Sequence, residues 1–107
     1  MNGKFLGRIT NAEFGVNRDY PFLFGLELEF KMDIGCVATN ISVNISDNCN
    51  WSETDGRDKA LGKQALKIVS ILEDAKVSYV SQLVGKPVEV ELDHNLFKSF
   101  RILTEVL

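Results

Sequence analysis

Between Pro21 and Lys31 the even positions Phe22, Phe24, Leu26, Leu28 and Phe30 are apolar, while the odd positions include Gly25, Glu27, Glu29 and Lys31. A period of two with one polar side predicts a half-buried β-strand. Met32-Asp33-Ile34-Gly35 has turn chemistry, and beyond it Val37, Ile41, Val43 and Ile45 alternate with Asn40, Ser42, Asn44 and Ser46. The two segments are expected to form a hairpin. Upstream, Lys4 to Phe14 carries Phe5, Leu6 and Ile9 among the flexible Gly3 and Gly7, which predicts a less regular strand leading into the polar loop from Gly15 to Asp19.

The period then changes. Ser52 is suited to cap a helix N-terminus, and Glu53 and Asp55 place carboxylates at the positive end of the helix dipole. Leu61, Ala65, Ile68, Val69 and Leu72 recur at helical offsets, with Lys59, Lys63 and Lys67 on another face, so one amphipathic helix is expected to run to about Lys76. Ser78 to Val84 reads as a short turn or connector closed by Gly85, and Pro87 forbids a helical continuation. Val88, Val90 and Leu92 alternate with Glu89, Glu91 and Asp93. After the turn Asp93-His94-Asn95, the chain returns with Phe100, Ile102 and Val106 on one face, a second hairpin. Strand, hairpin, helix, hairpin is not the regular alternation of a doubly wound parallel sheet. The expected fold is α+β, with antiparallel β-hairpins forming a sheet packed by one long amphipathic helix, residues 1–107 making a single domain.

Composition narrows the function classes. Of 107 residues 45% are hydrophobic, enough for a core without disulfide or metal staples, and the formal net charge of −3 lacks the basicity of general nucleic-acid binding. The start of the chain has no signal-peptide pattern and no run reaches the ~18 apolar residues of a membrane span, so a soluble cytoplasmic protein with Cys36 and Cys49 as free thiols is expected. Three Asn-X-Ser triplets, at Asn40, Asn44 and Asn50, would matter only in a secretory pathway.

Two cysteines and one histidine do not make a zinc ligand set, and no nucleophile, base and oxyanion constellation is legible, so neither a metal, a cofactor nor catalysis is expected. Gly85-Lys86-Pro87 lacks the upstream glycine of a phosphate loop and reads as a turn. The residues with binding chemistry are few. Trp51 could stack on a base, or else cap the core beneath the helix start; Arg57 could receive an anion beside the first helical amides. Arg101, out of phase with Phe100 and Ile102, could fork onto a phosphate or pair with Glu89 or Glu91 across its hairpin, and Asn95 could read a ligand edge.

From Trp51 to Leu107, the helix start Trp51-Ser52-Glu53-Thr54-Asp55, the stretch Ile71-Leu72-Glu73-Asp74-Ala75-Lys76-Val77, then Leu83 to Val90 and the ending from Phe100 to Leu107, resemble small bacteriophage and prophage proteins. Phe100 stands where that ending would have tryptophan. The outline looks like phage immune-signal sponges, which capture cyclic nucleotide or cyclic ADP-ribose signals between subunits. The resemblance implies a viral gene product acting in the host bacterial cytoplasm by binding. With Trp51, Arg57 and Arg101 it leads to the expectation of a protein that sequesters a small phosphorylated ligand without catalysis. The exposed edges of the two strand pairs predict a homo-oligomer. The alternative is a protein-interaction inhibitor that blocks a host or phage enzyme, with Glu89-Glu91-Asp93 as its electrostatic complement.

Overall fold

The computed structural model describes residues 2–45 and 56–106. Its elements are β1 (Gly3–Val16), β2 (Leu23–Met32), β3 (Gly35–Asn44), α1 (Gly56–Ala75), a 3₁₀ turn (Val80–Leu83), β4 (Pro87–Asp93), β5 (Leu96–Ile102) and a final 3₁₀ turn (Thr104–Val106). The five strands form one antiparallel sheet in the order β3-β2-β1-β4-β5. An α+β architecture of hairpins and one helix is thus present.

Both expected hairpins form. Met32 pairs with Gly35 across the two residues Asp33 and Ile34, and Asp93 pairs with Leu96 across His94 and Asn95. His94 and Asn95 both have positive φ, 52° and 67°, the left-handed conformation that a two-residue turn needs to follow the strand twist. The last hairpin ends earlier than expected: β5 stops at Ile102, and Val106 is exposed in the final 3₁₀ turn instead of lying on the core face with Phe100 and Ile102.

β1 is fourteen residues long and belongs to both halves of the sheet. Gly3 to Arg8 pairs with β4, whereas Gly7 to Val16 pairs with β2. The register shifts between Ile9 and Asn11, so Thr10 is an extra residue and β1 bends there. Gly7 sits where β1 is paired on both sides, and a Cβ there would lie 2.5 Å from the Lys31 carbonyl oxygen. The bend brings the two edges together: β3 and β5 approach with Cα atoms within 8 Å, and α1 lies against both.

The curled sheet encloses Ile9, Leu26, Leu28, Phe30, Val88 and Val90, with Ile68, Ile71 and Ala75 of α1 and Leu83 closing the core. The buried line of α1 is Gln64, Ile68, Ile71 and Ala75, while Ala65 and Val69, expected inside, are exposed. Gln64 accounts for the altered phase. Its Nε2 donates to the carbonyls of Phe24 (2.8 Å) and Ile41 (2.7 Å), fixing the helix to two strands, so a polar side chain takes the place an alanine was expected to fill. The helix ends at Lys76, whose φ of 58° allows Val77 N–H to bond back to Leu72 O. The expected cap at Ser52, with Glu53 and Asp55, lies outside the described residues.

Candidate functional site

Directly opposite residues share a face of a sheet, so the strand register sorts every side chain. Phe5, Ile9, Leu28, Phe30, Val90 and Phe100 belong to the inner face. Lys4, Arg8, Glu27, Glu29, Glu89 and Arg101 belong to the outer one. Between β3 and β5 the inner face opens to solvent along a seam.

That seam holds a cleft of about 280 Å³ lined by Thr39, Asn40, Lys67, Phe97, Lys98 and Phe100, among others. Its floor is aromatic. Phe30 is fully buried and stacks on Phe97, with ring centroids 5.7 Å apart and planes 2° from parallel, and its centroid lies 4.9 Å from that of Phe100. Phe97 and Phe100 are half-buried, so part of each ring meets solvent. They point to the same side although three apart in sequence, because the β4–β5 register shifts between Glu91 and Leu92 and Lys98 is bulged out. Lys98 Nζ lies 3.3 Å from a Glu91 carboxylate oxygen. Across the cleft, Lys67 comes from the exposed lysine face of α1. The seam continues to a second depression of about 190 Å³ beside Cys36, Val37 and Asn95.

The backbone adds donors and acceptors. The two-residue turn and the bond from Ile45 N–H to Phe22 O place the odd residues of β3 in hydrogen-bonded pairs with β2. Antiparallel alternation then turns the N–H and C=O of Cys36, Ala38 and Asn40 toward the seam.

The residues proposed from the sequence do not converge there. Asn95 reaches the end of the seam. Arg57, at the start of α1, directs Nη1 at the Ile45 carbonyl at 3.5 Å. Arg101 lies on the outer face and is occupied: Nε donates to Glu89 at 3.2 Å, and its two terminal nitrogens donate to Glu105 at 3.4 and 3.2 Å. Trp51 lies outside the described residues, as does Cys49; Cys36 is an exposed free thiol. Lys67, Phe97 and Lys98 were not singled out from the sequence. The lysine stripe and the aromatic spacing were visible, but only the curl of the sheet joins them.

The acidic strand is likewise internally paired. Glu89 meets Arg101, Glu91 meets Lys98, and Asp93 lies 2.7 Å from His94 Nδ1. At the chain end the Glu105 carboxyl is held below its usual range, first by its own backbone N–H and then by Arg101, whose guanidinium is pushed up chiefly by Glu105 and next by Glu89. A depressed carboxyl stabilises the fold above its ordinary value of 4.5, and that contribution is lost as pH falls through the lowered value. The 3₁₀ turn at Thr104–Val106 is therefore expected to stay on Arg101 at pH 4.5 and to come away only as pH falls through that lowered value. A carboxyl titration followed by NMR checks this: the Glu105 midpoint should lie below the ordinary glutamate value and move part of the way back toward it in Arg101→Ala, which leaves the backbone N–H in place. Both partners are exposed, so global stability should change little.

Among the described residues no three His, Cys, Asp or Glu side chains cluster as a metal site, and no helix is long and apolar enough to cross a membrane. No family model matches the chain, and no curated protein or solved structure matches it either.

Proposed function

We propose that this chain is a non-catalytic binding protein that captures a small phosphorylated ligand in the seam between β3 and β5. The observation that carries this reading is the composition of the 280 Å³ cleft: half-buried rings of Phe97 and Phe100 as a stacking floor, with Lys67 and Lys98 at its sides. A planar base stacks on such a floor, the Lys67 ammonium receives its phosphate, and the Thr39 hydroxyl and the Asn40 backbone bond its polar edge. The volume lies just below the usual range for ligand pockets, about 300–1,000 Å³, which suits one base with its phosphate. A cyclic di- or trinucleotide would engage two or more clefts in a homo-oligomer. The resemblance of the C-terminal half to phage proteins makes a host immune signal of the cyclic nucleotide or cyclic ADP-ribose type the candidate ligand.

The strand order, bent first strand and helix between β3 and β4 resemble an OB-type barrel, in which oligonucleotides lie on the face of β2 and β3. Here the neighbouring outer face carries Glu13, Glu27 and Glu29, and β2 and β3 turn no aromatic ring outward. That arrangement repels a polyanion and argues against general nucleic-acid binding. The internal pairing of Glu89 with Arg101 and of Glu91 with Lys98 likewise reduces the free charge for a docking surface complementary to a basic protein.

Native mass spectrometry and calorimetry with cyclic di- and trinucleotides and cyclic ADP-ribose isomers test the proposal. A retained ligand, bound roughly 10–100-fold more weakly by Lys67→Glu and unchanged by Arg101→Ala, is the expected result. No retained ligand from the panel, or affinity indifferent to Lys67, overturns it.

A further inference from the structure

Two like-charged pairs face each other directly across β1 and β2 on the outer face of the sheet: Glu13 opposite Glu27, and Arg8 opposite Lys31. Directly opposed like charges destabilise a strand pair. The acidic pair is relieved within the fold. Glu13 lies 2.9 Å from Arg18 Nη2 and accepts from Asn11, and Glu27 accepts from Asn17. The basic pair has no such relief, since among the described residues neither Arg8 nor Lys31 forms an ion pair.

Arg8 is nevertheless held in place. Its Nη1 donates to Gly85 O at 3.0 Å, and that loop is fixed to β1 by Gly85 N–H to Ile9 O (2.7 Å) and Ile9 N–H to Lys86 O (3.1 Å). One end of the guanidinium is thus anchored, and its remaining donors are fixed in direction. Arg8 and Lys31 line a trough of about 450 Å³ whose other side is apolar, formed by Leu6, Pro87 and Leu103. Leu6 is 68% exposed. Asp33 also lines the trough.

We propose that this trough is a second binding site, separate from the β3–β5 seam, for a phosphate monoester carried on an apolar or aromatic group. The phosphate sits between Arg8 and Lys31 and supplies the counter-charge their strand pair lacks. The apolar body lies against Leu6, Pro87 and Leu103. Inorganic phosphate satisfies only the first half of the site, and the complete ligand both halves.

The test is an NMR titration of the full chain with inorganic phosphate and with phenyl phosphate, following backbone amides, alongside thermal unfolding without ligand. Saturable shifts centred on residues 6–10 and 31–33 are expected, with phenyl phosphate binding about tenfold tighter. Lys31→Glu should abolish those shifts and yet raise Tm by about 2–4 °C, because Arg8 then faces a carboxylate. Lys67→Glu should leave the shifts intact, which separates this site from the seam. Absence of saturable shifts with phenyl phosphate at 10 mM (on the order of the weakest specific affinities), shifts that survive Lys31→Glu, or a lowered Tm in that variant overturns the proposal.

Discussion

Gly25→Val is expected to cost about 2–6 kcal/mol of folding stability, a large share of the roughly 5–15 kcal/mol that holds an ordinary domain folded. A Cβ at this position would lie 2.0 Å from the Ile41 carbonyl oxygen and 2.8 Å from Ser42 Cα, so backbone rather than a pliable side chain opposes it. It would also lie 2.5 Å from Gln64 Nε2, the amide that bonds Phe24 O and Ile41 O. Overpacking of this kind costs about 1–3 kcal/mol, and parting a buried amide from its acceptors costs about 1–3 kcal/mol more. Urea unfolding of the full-length variant measures the loss. Gly62 is the contrasting position: it is exposed in α1 and nothing lies within 4 Å of a Cβ there, so Gly62→Ala should gain about 0.5–1 kcal/mol. A Gly25→Val protein as stable as the parent would mean that α1 is not fixed to the sheet through this contact.

Phe30→Ala is expected to be comparably severe, about 3–5 kcal/mol. Phe30 is fully buried at the centre of β2, paired with Ile9 on one side and Val37 on the other. Its removal leaves a cavity that those β-branched neighbours cannot fill without breaking the strand register. The effect should extend beyond stability. Phe97 and Phe100 rest on Phe30, so the variant should lose ligand capture at the seam even under conditions where it remains folded. Phe30→Leu separates the two effects: most of the buried volume returns but no ring does, so stability should recover further than stacking affinity. Equal recovery of both would make the aromatic floor a packing device alone.

The elements whose side chains obey one period were legible from the residues. β2 and β4 alternate without interruption, and the structure buries Leu26, Leu28, Phe30, Val88, Val90 and Leu92 as that alternation requires. β1 was harder to read because its inner face is odd-numbered before Thr10, at Phe5, Gly7 and Ile9, and even-numbered after it, at Ala12 and Phe14. One bulged residue reverses the parity. The phase of α1 failed at Gln64 for a different reason: a rule that sorts residues by hydrophobicity cannot foresee that two carbonyls will need an amide donor inside the core. The seam was illegible because it is a product of curvature. Asn40, Lys67 and Lys98 are far apart in the chain, and nothing local to any of them says that β3 and β5 approach. Arg101, chosen as an anion contact, took the other course open to it and paired across the hairpin with Glu89.

The dual membership of β1 also orders the assembly of the molecule. Its pairing with β2 closes over a short loop, but Gly3 meets Leu92 only after nearly the whole chain has been gathered. Closing so long a loop costs entropy before any contact repays it, which makes this step the slow one. Until β4 arrives, one flank of the first strand remains an unsatisfied template, and the earliest segment of the sheet to begin forming is the last to be completed.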